Sequence, residues 1–152
     1  MLSNILMATS ASILLIEDSP GECELFGLAL AKTGVVAALH SKNDAEPALQ
    51  FLTDRPRHDP LPSLILLDWH LQKTRGNSFL TPMRADARIA SIPVIVLTTS
   101  DDTADMMAAY AHGANGYVVK PGTFDELVRC VGDLCRYWLI WNRSLPLVET
   151  KC

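Results

Sequence analysis

The strongest constraint on this chain is a set of three short apolar runs, each of which stops at a chemically useful residue. Ile13-Leu14-Leu15-Ile16 ends in Glu17-Asp18, Leu64-Ile65-Leu66-Leu67 ends in Asp68, and Val94-Ile95-Val96-Leu97 ends in Thr98-Thr99-Ser100. Consecutive branched residues without polar alternation read as strands covered on both faces, as in a parallel sheet between two helical layers. Weaker strands are expected at 35–40 and 116–119. Helical patterns fall between the runs. Ser19 caps the first helix with Pro20 at its opening position, Cys23, Phe26, Leu30 and Thr33 keep a helical period, and Gly34 stops it. Asp44 caps a second helix with the stripe Ala45, Ala48, Leu49 and Leu52; Pro47 sits in its first turn, where no intrahelical acceptor is lost. A third follows Gly76 and is kept short or kinked by Pro82. The fourth starts at Ser100 or Asp101 and ends at His112-Gly113. Phe124, Leu127, Val128, Val131, Leu134 and Trp138 form the stripe of a fifth. Strand and helix alternating five times predicts an α/β fold, a doubly wound five-stranded parallel sheet with right-handed crossovers.

The 152 residues suit one domain, expected over 13–140, with an N-terminal arm at 1–12 and a C-terminal extension at 141–152. A net charge of −4 and a pI near 5.5 argue against nucleic acid as a partner. No apolar stretch is long enough to span a membrane, and no leader pattern is present, so a cytoplasmic location is expected. Cys23, Cys130, Cys135 and Cys152 form no C-x-x-C pair and read as small packing residues of a reducing compartment. His40, His58, His70 and His112 are scattered and make no metal motif.

Ligands of doubly wound sheets bind beyond the carboxyl ends of the strands, where the strand order reverses. That rule gathers Glu17, Asp18, Asp68, Thr98 and Lys120 at one edge. Any one of them could merely cap a helix; all five at strand ends make a site.

With these residues in view, the chain resembles the bacterial response-regulator receiver domains. The resemblance rests on Glu17-Asp18, Asp68, Thr98, Tyr117 and Lys120-Pro121, with eight residues from Asp68 to Gly76, 30 from Asp68 to Thr98 and 22 from Thr98 to Lys120. It covers residues 12–140 and implies the flavodoxin-like (βα)5 fold with strand order 2-1-3-4-5. A narrower likeness, carried by residues 96–100, 114–121 and 136–139, is to stand-alone receivers paired with phytochrome-type histidine kinases.

The family likeness implies roles. Asp68 is the phosphoacceptor. Mg2+ is held by Asp18, Asp68 and the backbone carbonyl of His70, with Glu17, in place of a more usual aspartate, reached through water. Lys120 neutralises a phosphoryl oxygen and is followed by a cis bond to Pro121. Thr98 hydrogen-bonds the phosphoryl group, and Tyr117 turns from exposed to buried on activation, unless it is an ordinary half-buried strand aromatic. Two departures stand out: Gln72 where proline is common, expected to loosen the loop, and His70 where a small polar residue is common, expected to alter water access. The chain then reads as a single-domain response regulator, with a sensor histidine kinase of the bacteriophytochrome type as donor and no room for an output domain after residue 140. It is not an enzyme, beyond assisting its own phosphoryl gain and loss. The alternatives are a receiver-like binding module independent of phosphate, or a haloacid-dehalogenase-type phosphotransferase. The second needs an acid where His70 stands, and a cap domain. A flavodoxin-like FMN site is disfavoured, since residues 18–22 lack a hydroxyl-rich phosphate cradle. Finally, Tyr137-Trp138-Leu139-Ile140-Trp141 is apolar on every side of a helix, which predicts a partner surface unless the segment folds back over its own core. The likeness to phytochrome-paired receivers implies that the partner is a second copy, in a homodimer through the fifth strand, fifth helix and C-terminal extension.

Overall fold

In the structure, a computed structural model that describes residues 11–56 and 58–145, the three apolar runs form the centre of a parallel sheet. The order along the chain is β1 (Ser12–Ile16), α1 (Pro20–Lys32), β2 (Ala38–Lys42), α2 (Ala45–Thr53), β3 (Leu64–Leu67), α3 (Asn77–Ala85), β4 (Val94–Thr98), α4 (Thr103–Ala111), β5 (Gly116–Val119) and α5 (Phe124–Cys135), followed by a π-helical segment, Arg136–Trp141. The sheet order is β2-β1-β3-β4-β5, all parallel, as the resemblance implied.

Alternation across the pleat explains why the central runs are apolar throughout. Leu14, Ile16, Ile65, Leu67, Val94 and Val96 face α2, α3 and α4, while Ile13, Leu15, Leu64, Leu66, Ile95 and Leu97 face α1 and α5. Both faces are buried, so neither admits a polar residue. Each central strand then ends where the helix layers part, and there the sequence turns polar.

The helix starts follow local capping chemistry. Ser19 Oγ accepts from Glu22 N, and the Asp44 carboxylate accepts from Ala45 N. Gly34 and Gly113 take positive φ just beyond α1 and α4, a conformation with little penalty for glycine alone. Pro82 lies inside the nine-residue α3, where it offers no N–H to the Ser78 carbonyl.

Three boundaries differ from expectation. The second strand runs over Ala38–Lys42 instead of 35–40, because Thr33 Oγ1 accepts from Val35 N and delays entry into the ladder. The fourth helix starts after Asp102, whose carboxylate accepts from Ala104 N; the Ser100 hydroxyl is committed to Asp105 instead. The fifth helix widens after Cys135, with Asn142 N donating to Tyr137 O five residues back. That widening turns Trp138 and Leu139 onto the core and leaves Tyr137, Ile140 and Trp141 exposed. Of the expected N-terminal arm only residues 11 and 12 lie among the described residues, and of the extension only 141–145.

Candidate functional site

The switch in strand order lies between β1 and β3, and both strands deliver carboxylates there. Ile16 pairs with Leu67, and Asp68 N donates to Ile16 O at 3.0 Å, which sets Glu17-Asp18 beside Asp68. Carboxylate oxygens of Glu17, Asp18 and Asp68 lie within 4.8 Å of one another. From β5, Lys120 N donates to Thr98 O at 2.7 Å, which anchors the lysine next to β4. Its ammonium reaches inward, 3.2 Å from Glu17 Oε2, 3.4 Å from Glu22 Oε2 and 4.0 Å from Asp68 Oδ2. The Lys120–Pro121 bond is trans, against the expected cis form; X–Pro bonds favour trans by roughly 0.5–1 kcal/mol, and the trans chain already brings the ammonium to Asp68.

Electrostatics here are unbalanced: three carboxylates, Glu17, Glu22 and Asp68, face the Lys120 ammonium, and a fourth, Asp18, lies beside Glu17 and Asp68. Burial is the main reason the Glu17 carboxyl is pushed up to about 7, helped by a hydrogen bond with Asp68 and opposed by Lys120. Burial works against the Lys120 charge, but Glu17 and Asp68 outweigh it and hold its pKa above the usual lysine value. An all-oxygen donor set with surplus negative charge fits a hard divalent cation such as Mg2+.

The loop after β3 is tied at both ends. Gln72 N donates to Asp18 Oδ2 at 2.7 Å, a bond that proline could not make, so the Gln72 departure fastens the loop where loosening was expected. His70 N donates to Asp68 Oδ1 at 3.3 Å, and His70 forms an antiparallel bridge with Arg75. The His70 imidazole turns toward α4, with Nε2 2.5 Å from Asp105 Oδ2. Asp105 also accepts from Ser100 Oγ at 2.6 Å; these bonds from Ser100 and His70 hold its carboxyl below the ordinary aspartate range. Trp69 is buried beneath the loop, and a methyl group on Gly76 would collide with its ring.

Thr98 is fully buried at the end of β4. Tyr117 is half-buried, and its hydroxyl donates to Ser100 O at 2.8 Å. Glu17, Asp18, Asp68, His70, Thr98 and Lys120 therefore lie at this edge, and the Tyr117 hydroxyl reaches the loop beyond β4. Glu22 and Asp105 were not singled out, because each sits in the first turn of a helix, where an acidic residue is already accounted for by the helix dipole.

Comparison with known proteins agrees with this arrangement. A family model described as "Response regulator receiver domain" matches residues 13–132. A probable methanogenesis regulatory protein, FilR2 of Methanothrix harundinacea, is 36% identical over 87% of this chain and 86% of its own. Response regulator Rcp1 of Synechocystis is 33% identical over 84% of this chain and 88% of its own. Among solved structures, the phosphorylated cyanobacterial phytochrome response regulator RcpA superposes with a TM-score of 0.80 at 28% identity, covering 90% of this chain and 99% of that one. The Mn2+-bound form of response regulator Rcp1 does so with a TM-score of 0.77 at 30% identity, covering 90% and 99%. Among the described residues, no helix is long and apolar enough to cross a membrane.

Proposed function

Because the chain belongs to the response-regulator receiver family, we propose that it is a phosphorylation switch that takes a phosphoryl group on Asp68 from a sensor histidine kinase, one of the phytochrome type. The observation that carries the reading is the cluster of Glu17, Asp18 and Asp68 at the switch point, with a single ammonium, Lys120, reaching into it.

In the transfer, an Asp68 oxygen forms a bond to phosphorus while the bond from phosphorus to the donor histidine nitrogen breaks, its electron pair staying on the imidazole. Such transfer asks mainly for positioning and charge neutralisation. Lys120 supplies positive charge to a phosphoryl oxygen, which requires it to loosen its hold on Glu17 and Glu22. Thr98 donates its hydroxyl to another oxygen. Asp18, Asp68 and the His70 carbonyl would hold Mg2+, with Glu17 contacting it through water; the ion supplies the charge that lets phosphate approach these carboxylates. Tyr117 and Ser100 carry the change to the exposed face of α4, β5 and α5. Arrival of a phosphoryl group adds charge and acceptor oxygens where this network begins.

Output then passes through protein contacts in the cytoplasm. Tyr137, Ile140 and Trp141 are 53%, 59% and 75% exposed, beside an open groove between β5 and α5 that Val118, Cys130, Leu134 and Trp138 help to line. Exposed aromatic and aliphatic groups in one patch favour a self-complementary two-fold dimer.

Beryllofluoride or acetyl phosphate with Mg2+ tests the switch. The parent should respond and Asp68→Asn should not; an equal response in both removes the reading and favours a phosphate-independent binding module. Light scattering tests the dimer, which Ile140→Ala with Trp141→Ala should convert to a folded monomer. A parent that stays monomeric at high micromolar concentration would rule the dimer out.

A further inference from the structure

Asp105 has no part in the phosphoryl transfer just described, yet it is one of the few buried polar side chains among the described residues. A buried carboxylate is costly unless hydrogen-bonded, and both short bonds to this one come from outside α4. Ser100 Oγ, two residues beyond Thr98, donates at 2.6 Å and fixes the carboxylate. His70, two residues beyond Asp68, brings Nε2 to 2.5 Å of the same oxygen, and Arg75 lies 3.6 Å from the other. The His70 side chain is 45% exposed, and among the described residues Asp105 is the hydrogen-bond partner that holds its ring. Its backbone N–H lies 3.3 Å from Asp68 Oδ1, so the imidazole is rooted within reach of the phosphoacceptor but aimed away from it.

We propose that Asp105 is a positioning residue that draws the His70 imidazole aside, keeps the approach to Asp68 open to water, and so shortens the lifetime of the aspartyl phosphate. The inference rests on the switch reading above. In hydrolysis, a water oxygen bonds to phosphorus as the bond from phosphorus to the Asp68 oxygen breaks, its electron pair restoring the carboxylate. One water proton stays on the new P–OH and the other passes to a phosphate oxygen or to solvent. The attacking water must enter roughly in line with the departing Asp68 oxygen. A ring released from Asp105 swings over that entry.

The test is a cycle of Asp105→Ala, His70→Asn and the double variant, following the loss of label after acetyl phosphate is removed with Mg2+ present. Asp105→Ala should slow dephosphorylation at least threefold. Measured against His70→Asn, the double variant should show no further slowing, since the ring that Asp105 holds is already absent. A fold change in Asp105→Ala would be recognised by circular dichroism, and Asp105→Asn, with the same shape and a weaker acceptor, then takes its place with a smaller slowing. Histidine-ring NMR of the unphosphorylated protein supplies a readout independent of phosphate: a strongly hydrogen-bonded His70 Nε2 proton in the parent, lost in Asp105→Ala. Parent-like dephosphorylation in Asp105→Ala, a double variant as much slower than His70→Asn as Asp105→Ala is slower than the parent, or absence of that proton signal in the parent would each overturn the proposal. A parent that takes no label at all would instead overturn the switch reading, and the NMR result would still decide whether Asp105 holds the ring.

Discussion

Arg84 and Lys120 are both drawn out of water, at opposite ends of the sheet, and they are satisfied in opposite ways. Arg84, at the end of α3, meets only neutral acceptors. Its Nη1 donates to Ala90 O and Ile92 O, Nε and Nη2 donate to Gly113 O, and Nη2 also reaches Asn115 Oδ1, which accepts from Val94 N as well. Burial alone lowers the Arg84 pKa, since among the described residues no carboxylate pairs with it. Lys120, at the carboxyl end, meets three carboxylates and is held above the usual lysine range. The planar guanidinium fork locks loops together through fixed carbonyl dipoles, whereas the lysine is a mobile point charge in an acidic pocket. The first centre is complete as it stands. The second carries surplus negative charge, which a proton on Glu17 or a divalent cation among Glu17, Asp18 and Asp68 would offset.

The comparison can be broken most directly at its structural pole. Arg84→Ala takes the guanidinium donors from three carbonyls, leaves Asn115 Oδ1 with Val94 N alone, and should cost about 4 kcal/mol in urea unfolding. Phosphoryl labelling of Asp68 in the folded fraction should be unchanged. A cost under about 1 kcal/mol would mean that Arg84 is no staple.

The acidic pole should announce itself through pH. Glu17 is pushed up from 4.5 to about 7 in the folded protein, so between those values the folded state keeps a proton that the unfolded state has released. Stability from this group is therefore greatest on the acid side and falls as pH rises through the window, by about 3 kcal/mol at ~1.4 kcal/mol per tenfold in proton affinity. Glu17→Gln should flatten the profile, and Arg84→Ala should shift it down without changing its slope. Identical profiles for the parent and Glu17→Gln would show that the carboxylate cluster stores no such strain.

Lys120→Met sharpens the contrast further. Removing the ammonium should cost about 2 kcal/mol, less than removing Arg84, because Glu17 can take up a proton and relieve the repulsion. A loss as large as that of Arg84→Ala would make Lys120 a structural cation too.

The smallest effect is thermodynamic linkage to metal. Mg2+ at tenfold its dissociation constant should stabilise the parent by about 1.4 kcal/mol, fading below pH 7 as Glu17 protonates. Asp18→Ala should abolish this gain, while Arg84→Ala should retain it. Equal gains in the parent and Asp18→Ala would place the metal elsewhere.

Much of this site was legible in the sequence because apolar strand runs and their polar ends are local features. Asp68, Thr98 and Lys120 announced themselves by stopping or following strands, and the strand order that sets them side by side came from the family resemblance. Arg84 and Asp105 were not legible. Arg84 in a last helical turn and Asp105 in a first one both look like ordinary complements to a helix dipole. Gln72 likewise acts through a backbone N–H, and the pattern of side chains says nothing of where that donor points.

What the sequence by itself determined is the alternation of buried strands with capped helices, and hence the edge at which five polar side chains meet. Burial writes that pattern directly, since a strand covered on both faces admits only apolar residues. What only the tertiary structure decided is the choice of partners: Glu22 for Lys120, Asp105 for His70, Gln72 for Asp18, and main-chain carbonyls for Arg84. Those partners lie up to 98 residues apart, and for Lys120 and Glu22 the contact is 3.4 Å long. Hydrogen bonds and charge pairs act over a few ångströms, so they are chosen by where loops and helix ends come to rest in space, which no local pattern encodes.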